Sequence, residues 1–204
     1  DIYAGGQFQR AGGTTVNGIA RWNGSSWSPL GSGVNGAVLD LAVMGGELYA
    51  GGTFSEAGGV AVNHLARWNG STWSSVGTGA ENGVPGGVVL ALRVVGSTLY
   101  VGGEISLAGS VPVAGVAKWD GTAWSSVGSG VSGGGRVVSD FAVAGNDLYI
   151  GGSFERAGAA AARNVARWDG STWSGLGTGI GGVTNALIEA IAIVFMFLAG
   201  ANFS

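Results

Sequence analysis

The residues able to do chemistry are few and thinly spread. The 204-residue chain has one histidine, His64, no cysteine, and only nine basic and twelve acidic side chains. A lone histidine without further histidine or cysteine makes no metal-ligand set. Without cysteine, disulfides, thiolate catalysis and zinc ribbons are closed to the chain. No D-x-D-x-D-G run offers a calcium loop. No acid–base pair recurs at a plausible site. We therefore expect no catalytic residue, no metal and no cofactor. His64 stands where the corresponding segments carry Gly18, Gly115 and Asn164, and reads as a loop or strand-edge residue.

What recurs is a set of groups suited to contact. Ala20-Arg21-Trp22-Asn23-Gly24-Ser25-Ser26-Trp27 returns as Ala66 to Trp73, Ala117 to Trp124 and Ala166 to Trp173. The first tryptophans fall at 22, 68, 119 and 168, in steps of 46, 51 and 49 residues. A period of this size marks an array of similar supersecondary units. Arg21, Arg67, Lys118 and Arg167 recur in register, each beside a tryptophan. Neighbours on a strand point to opposite faces, so these residues predict one cation per unit on the face away from tryptophan. They are candidates for pairing with carboxylates or for contact with an anionic partner.

The elements that must position these groups are short strands. In the fourth unit, residues 137–143 and 148–154 read as strands joined by a turn at Ala144-Gly145-Asn146-Asp147. A looser stretch, 155–163, follows. Residues 164–168 and 173–176 read as two further strands around the turn Asp169-Gly170-Ser171-Thr172. Short runs bounded by Gly, Asn, Asp and Ser at this spacing signal an all-β array. Four strands per unit is the make-up of a β-propeller blade.

Four turn residues leave Trp168 facing Trp173 across a hairpin. The same geometry pairs Trp22 with Trp27, Trp68 with Trp73 and Trp119 with Trp124, which accounts for all eight tryptophans. Cross-strand aromatic pairs add roughly 0.2–1 kcal/mol to strand pairing and bring large buried area. Packing between units is the first reading of these residues. Stacking on sugar, which needs an exposed ring, is the second. Glycine doublets recur at Gly5-Gly6, Gly51-Gly52, Gly102-Gly103 and Gly151-Gly152. Glycine inside a strand marks close backbone approach or a bulge. No Lys-Ser or Lys-Thr follows, as a phosphate loop requires. In the hairpin turn, Asp120 and Asp169 alternate with Asn23 and Asn69, because Asx side chains bond nearby backbone N–H groups.

Leu48-Tyr49-Ala50-Gly51-Gly52, followed by Trp68 and Trp73, resembles the kelch-type repeat. The fuller pattern is similar to kelch-like propellers of secreted bacterial proteins and fungal cell-polarity markers. The resemblance covers residues 2 to about 180 and implies a β-propeller of four-stranded antiparallel blades. The galactose-oxidase type of copper enzyme shares that fold. Its site needs a cysteine cross-linked to tyrosine and histidine ligands, and this chain does not carry them, so the resemblance implies no oxidase chemistry.

We read residues 1–204 as one array, with units at about 1–30 (partial), 38–77, 88–127, 137–177 and 183–204 (partial). The first unit lacks an innermost strand. Residues 186–203 align with 137–154 at an offset of 49 without a gap. The C-terminal run can therefore close a ring of four blades, with one strand to spare. Two copies can instead form a larger ring, or a surplus strand can be donated to a neighbour. Ala190 to Ala201 carries no polar side chain and is shorter than the roughly 20 residues of a membrane span. A buried strand pair, a segment docking into another subunit and a membrane-associated tail all remain open for it.

Net charge is −3, only 10% of residues are charged, and Lys118 is the single lysine. No basic stripe exists to neutralise phosphates, which argues against nucleic acid as a partner. Few lysines and much Gly, Ser, Thr and Trp fit a secreted or cell-surface protein. The chain begins at Asp1 directly on a repeat motif, which reads as a processed secreted protein or a piece of a longer chain. The expected function is a non-catalytic extracellular scaffold or binding module for a protein or glycan. The alternative is a structural subunit that self-assembles into a closed oligomer or filament through unmatched terminal strands.

Overall fold

Each hairpin forms where the sequence places a turn. The Asn69-Gly70 turn is typical: Asn69 Oδ1 accepts hydrogen bonds from the backbone N–H groups of Ser71 (3.0 Å) and Thr72 (2.9 Å). Gly70 supplies the positive φ of 99° that side-chain-bearing residues avoid. The turn sets Trp68 directly opposite Trp73. The other three hairpins repeat it, with Trp22 opposite Trp27, Trp119 opposite Trp124 and Trp168 opposite Trp173.

The computed structural model describes residues 1–78 and 82–181. It is all-β; no helix occurs among the described residues. Three sheets are four-stranded antiparallel meanders. The second sheet runs Val38–Met44, Glu47–Gly52, Leu65–Trp68 and Trp73–Ser75. The third runs Gly87–Val95, Thr98–Ile105, Val116–Trp119 and Trp124–Ser126. The fourth runs Val137–Ala144, Asp147–Ser153, Val165–Trp168 and Trp173–Gly175. The first sheet has three strands, Ile2–Gly5, Ile19–Trp22 and Trp27–Pro29. Among the described residues it has no counterpart of the other sheets' first strand. The expectations placed on residues 183–204 fall outside the described residues.

The first strands of the second, third and fourth sheets lie against one another in sequence, so they are the inner strands of the array. The core is correspondingly three layers, one between each successive pair of sheets. Ile19, Leu30, Phe54 and Trp68 fill the first layer. Tyr49, Val76, Leu92 and Trp119 fill the second. Tyr100, Val127, Phe141 and Trp168 fill the third.

The stretch read as loose is more ordered than the sequence suggests. In the fourth unit it holds a two-residue ladder, Arg156–Ala157 against Ala160–Ala161, to which Val131–Ser132 adds a third strand. Its counterparts are Arg10–Ala11 with Thr14–Thr15, Glu56–Ala57 with Val60–Ala61, and Leu107–Ala108 with Val111–Pro112. Two-residue strands carry no readable alternation, which is why residue pattern alone missed them.

The turn carboxylates give a pH prediction. Asp169 Oδ1 accepts the N–H groups of Ser171 (2.8 Å) and Thr172 (2.7 Å), and Asp120 Oδ1 accepts those of Thr122 (2.8 Å) and Ala123 (2.7 Å). These bonds hold both carboxyls below the usual carboxylate range. A folded-state pKa below the unfolded value of about 3.9 stabilises the fold above that pH, and the gain is lost as pH falls toward the folded value. Asn23 and Asn69 accept the same bonds without ionising. Asp120→Asn/Asp169→Asn is therefore expected to keep the fold and to flatten the loss of stability between pH 4 and 2. Urea titrations across that range check it.

Candidate functional site

The two glycines of each doublet do different jobs. A Cβ on Gly5 would strike Val38 and Leu41 of the second sheet. One on Gly51 would strike Val89 of the third, and one on Gly102 would lie 2.8 Å from the Phe141 ring of the fourth. The first glycine therefore lets the next inner strand approach. The second faces a bulge in its own sheet. A Cβ on Gly52, Gly103 or Gly152 would overlap the carbonyl oxygen of Ala37, Val88 or Val137 respectively. The register slips at those points, between Val38 and Asp40, Val89 and Ala91, and Val138 and Asp140. Both sequence meanings of a strand glycine are thus present in one doublet. Gly151 holds the first place in the fourth sheet, whereas Gly6 follows the first strand of the first sheet, where a Cβ would meet only the Phe8 ring.

The tryptophans stack in tilted pairs with ring centroids 5.0–5.4 Å apart. They also reach the preceding sheet. Trp73 Nε1 donates to the Leu30 carbonyl at 2.8 Å, and Trp173 Nε1 to that of Val127 at 3.0 Å. Trp124 packs against Gly77 in the same way, with its Nε1 unbonded. The Tyr49 hydroxyl approaches the Trp119 indole of the next sheet, and Tyr100 approaches Trp168, without completing a hydrogen bond. Burial pushes both phenol pKa values up. Trp68, Trp73, Trp119, Trp124, Trp168 and Trp173 pack between sheets as the first reading has it, whereas Trp22 and Trp27 are half-buried in a sheet with no predecessor among the described residues.

Three of the four cations pair within their own sheets. Arg21 meets Asp1 at 2.8 Å, Arg67 meets Glu47 at 3.1 Å and Arg167 meets Asp147 at 2.8 Å. The partner comes from the adjacent strand, at the position where the third sheet has neutral Thr98. Lys118 accordingly lies opposite no carboxylate in that register. Partly exposed pairs of this kind add little stability.

His64 sits at a backbone position with positive φ (60°), shared by Gly18 (80°), Gly115 (74°) and Asn164 (64°). The position selects residues that tolerate the left-handed region. His64 is a strand-edge residue as expected, and its N–H donates to the Phe54 carbonyl at 3.1 Å.

Polar residues of the inner strands were not singled out from the sequence. Asp40 accepts the N–H of Leu41 (2.7 Å) with one oxygen and that of Leu92, in the third sheet, with the other (2.7 Å). Arg93 Nη2 donates to the Phe141 carbonyl of the fourth sheet at 2.9 Å. Burial pushes the Asp40 carboxyl up, the Leu92 and Leu41 N–H groups and Arg93 pull it back, and the charge on Asp140 adds to the rise. The available signal was an acid inside an apolar strand, V-L-D-L-A-V and V-V-S-D-F-A-V.

A groove of about 730 Å³ opens between the first and second sheets. Gln7, Phe8, Gln9, Asn17, Ser32, Asn35 and Glu56 line it. Two of these side chains hold loops: Asn17 Nδ2 donates to the Ser32 carbonyl (2.9 Å), and Asn35 Oδ1 accepts from the Ser55 and Glu56 N–H groups (2.9 Å each). Gln7, Gln9 and Glu56 are exposed. No group of three or more His, Cys, Asp or Glu side chains suited to a metal occurs among the described residues. The chain matches no family model and no curated protein.

Proposed function

We propose that the chain is a non-catalytic extracellular module of the kelch-like β-propeller type that binds a protein or glycan at its loops. One observation supports the reading most: the same sheet-to-sheet contact occurs three times, and the first strands of the second, third and fourth sheets lie side by side on one side of the array. One rotation repeated about an axis on that side carries sheets around a ring, the arrangement of propeller blades. A ring of meanders presents its connecting loops on its rims, where binding residues concentrate. The groove between the first two sheets offers amides, a hydroxyl and a carboxylate beside the half-buried Phe8, the mixture that polyhydroxyl or peptide ligands require. Scarce lysine and abundant Gly, Ser, Thr and Trp support a place outside the cell.

Arrays of glycans and of peptides, probed with the labelled full chain, test this proposal. Gln7→Ala/Gln9→Ala is expected to weaken the ligand found at least tenfold while leaving the melting temperature in place. A chain that captures nothing on either array, or a ligand indifferent to the double variant, overturns it. The alternative, a self-assembling structural subunit, draws support from the first sheet, which among the described residues has three strands where the others have four.

A further inference from the structure

We propose that the exposed faces at the two ends of the array are the halves of one interface, and that the fourth sheet of one chain docks on the first sheet of a second copy. The interface is already present three times inside the molecule. On its trailing side, Leu30, Val76 and Val127 follow the outer strands and are 1%, 0% and 0% exposed. Four or more residues later Val34, Val84 and Val131 are 8%, 0% and 1% exposed. The next sheet covers them. Val34 pairs with Ala57 and Val131 with Ala157, and the Gly58, Gly109 and Gly158 N–H groups donate to the carbonyls of Gly33, Gly83 and Gly130 at 2.8 Å.

The fourth sheet carries the same trailing segment with no covering sheet among the described residues. Leu176 is 38% exposed and Ile180 is 53% exposed. The segment is nevertheless folded as in the covered copies. Gly179 N–H donates to the Leu176 carbonyl at 2.9 Å, as Gly33 does to Leu30 at 3.1 Å. Ile180 N–H donates to the Arg163 carbonyl at 2.9 Å, as Val34 does to Asn17 at 2.9 Å. A Cβ on Gly177 would touch nothing, whereas its counterpart Gly31 lies against Trp68 and Trp73. Two apolar side chains and a pre-shaped turn thus await a tryptophan pair and a hairpin alanine.

The first sheet displays both. Its hairpin Arg10–Ala11 with Thr14–Thr15 has the register of Glu56–Ala57 with Val60–Ala61. Ala11 is only half-buried, while Ala57, Ala108 and Ala157 are fully buried. Trp22 and Trp27 stack at 5.4 Å like the other pairs, but Trp22 stays half-buried where its counterparts Trp68, Trp119 and Trp168 are buried. Among the described residues neither face covers the other, and a second copy carries the complement of each. The contact joins different surfaces on the two copies, and such head-to-tail contacts make a ring when the rotation closes and a filament when it does not. It needs no ligand and stands whether or not the loops bind one.

The absence of cysteine makes cross-linking clean. Residues paired as Val34 is with Ala57 lie within reach of a disulfide. We expect full-length Ala11→Cys and Ile180→Cys chains, mixed and oxidised, to form a mixed dimer at least tenfold more readily than either chain alone. The doubly substituted chain should give a dimer or a ladder on a non-reducing gel. By sedimentation, the unsubstituted chain should associate with rising concentration, and the surface change Ile180→Glu should weaken that association at least tenfold. An internal disulfide of monomer mobility overturns the proposal, because the array then closes on itself. So does failure of the mixed pair to cross-link, or cross-linking of either single variant with itself as readily as with the other.

Discussion

Gly52→Ala is expected to abolish cooperative folding of the second sheet. The added methyl would overlap the Ala37 carbonyl oxygen, which accepts the Thr53 N–H at 3.0 Å beside the bulge between Val38 and Asp40. Backbone cannot yield there without breaking the ladder between the inner strand and its neighbour, so the expected loss is above about 4 kcal/mol, at the exceptional end for a single substitution. Two controls identify the cause. Gly46→Ala places a methyl where nothing lies within 4 Å, at a φ of 82°, and should cost only about 1–2 kcal/mol. Gly51→Ala meets a side chain, Val89, and should be rescued in part by Val89→Ala. No side-chain change should rescue Gly52→Ala. Urea unfolding of the four variants reads all of this. A Gly52→Ala chain as stable as Gly46→Ala would show that the bulge is not rigid.

Trp73→Ala should cost about 3–5 kcal/mol, the range for deleting a buried large aromatic. Trp73 is 5% exposed, stacks on Trp68, packs on the first sheet and bonds the Leu30 carbonyl. Trp73→Phe keeps most of the area and strands that carbonyl, for a loss of about 1–3 kcal/mol. The informative comparison is Trp27→Ala. Trp27 occupies the same place in a sheet with no predecessor among the described residues, so its loss should destabilise the monomer by less than half as much. The measurement is the denaturation midpoint at low protein concentration, where copies are apart. Equal costs at Trp27 and Trp73 would mean that the stacking within a hairpin, not the contact between sheets, carries the stability.

Much of this architecture could be read from residue types, and the exceptions have physical reasons. The tryptophan pairing and the Asx turns followed from local rules, since hairpin register and turn chemistry are settled within a few residues. The division of labour within the Gly51-Gly52 doublet was not legible. It depends on what stands opposite each Cβ, and Ala37 and Val89 are far away in sequence. Trp22 and Trp68 sit in nearly the same octapeptide yet differ in exposure, because exposure at an end is decided by the lack of a neighbour. Asp40 and Arg93 escaped notice for a related reason. Their partners, Leu92 N–H and the Phe141 carbonyl, are main-chain groups that no pattern advertises. The cations were half legible: their face was right, but the carboxylates they meet belong to the strand alongside.

The three like contacts have a consequence for how such a chain can change length. Every sheet offers its successor the surface it received from its predecessor. Duplicating or deleting a whole segment of one period leaves each remaining seam chemically unaltered, whereas a fractional segment exposes tryptophan on one side and glycine on the other. Growth by tandem copying is therefore nearly free of repacking, and the curvature per sheet, not the chemistry of the seam, decides how many copies fit.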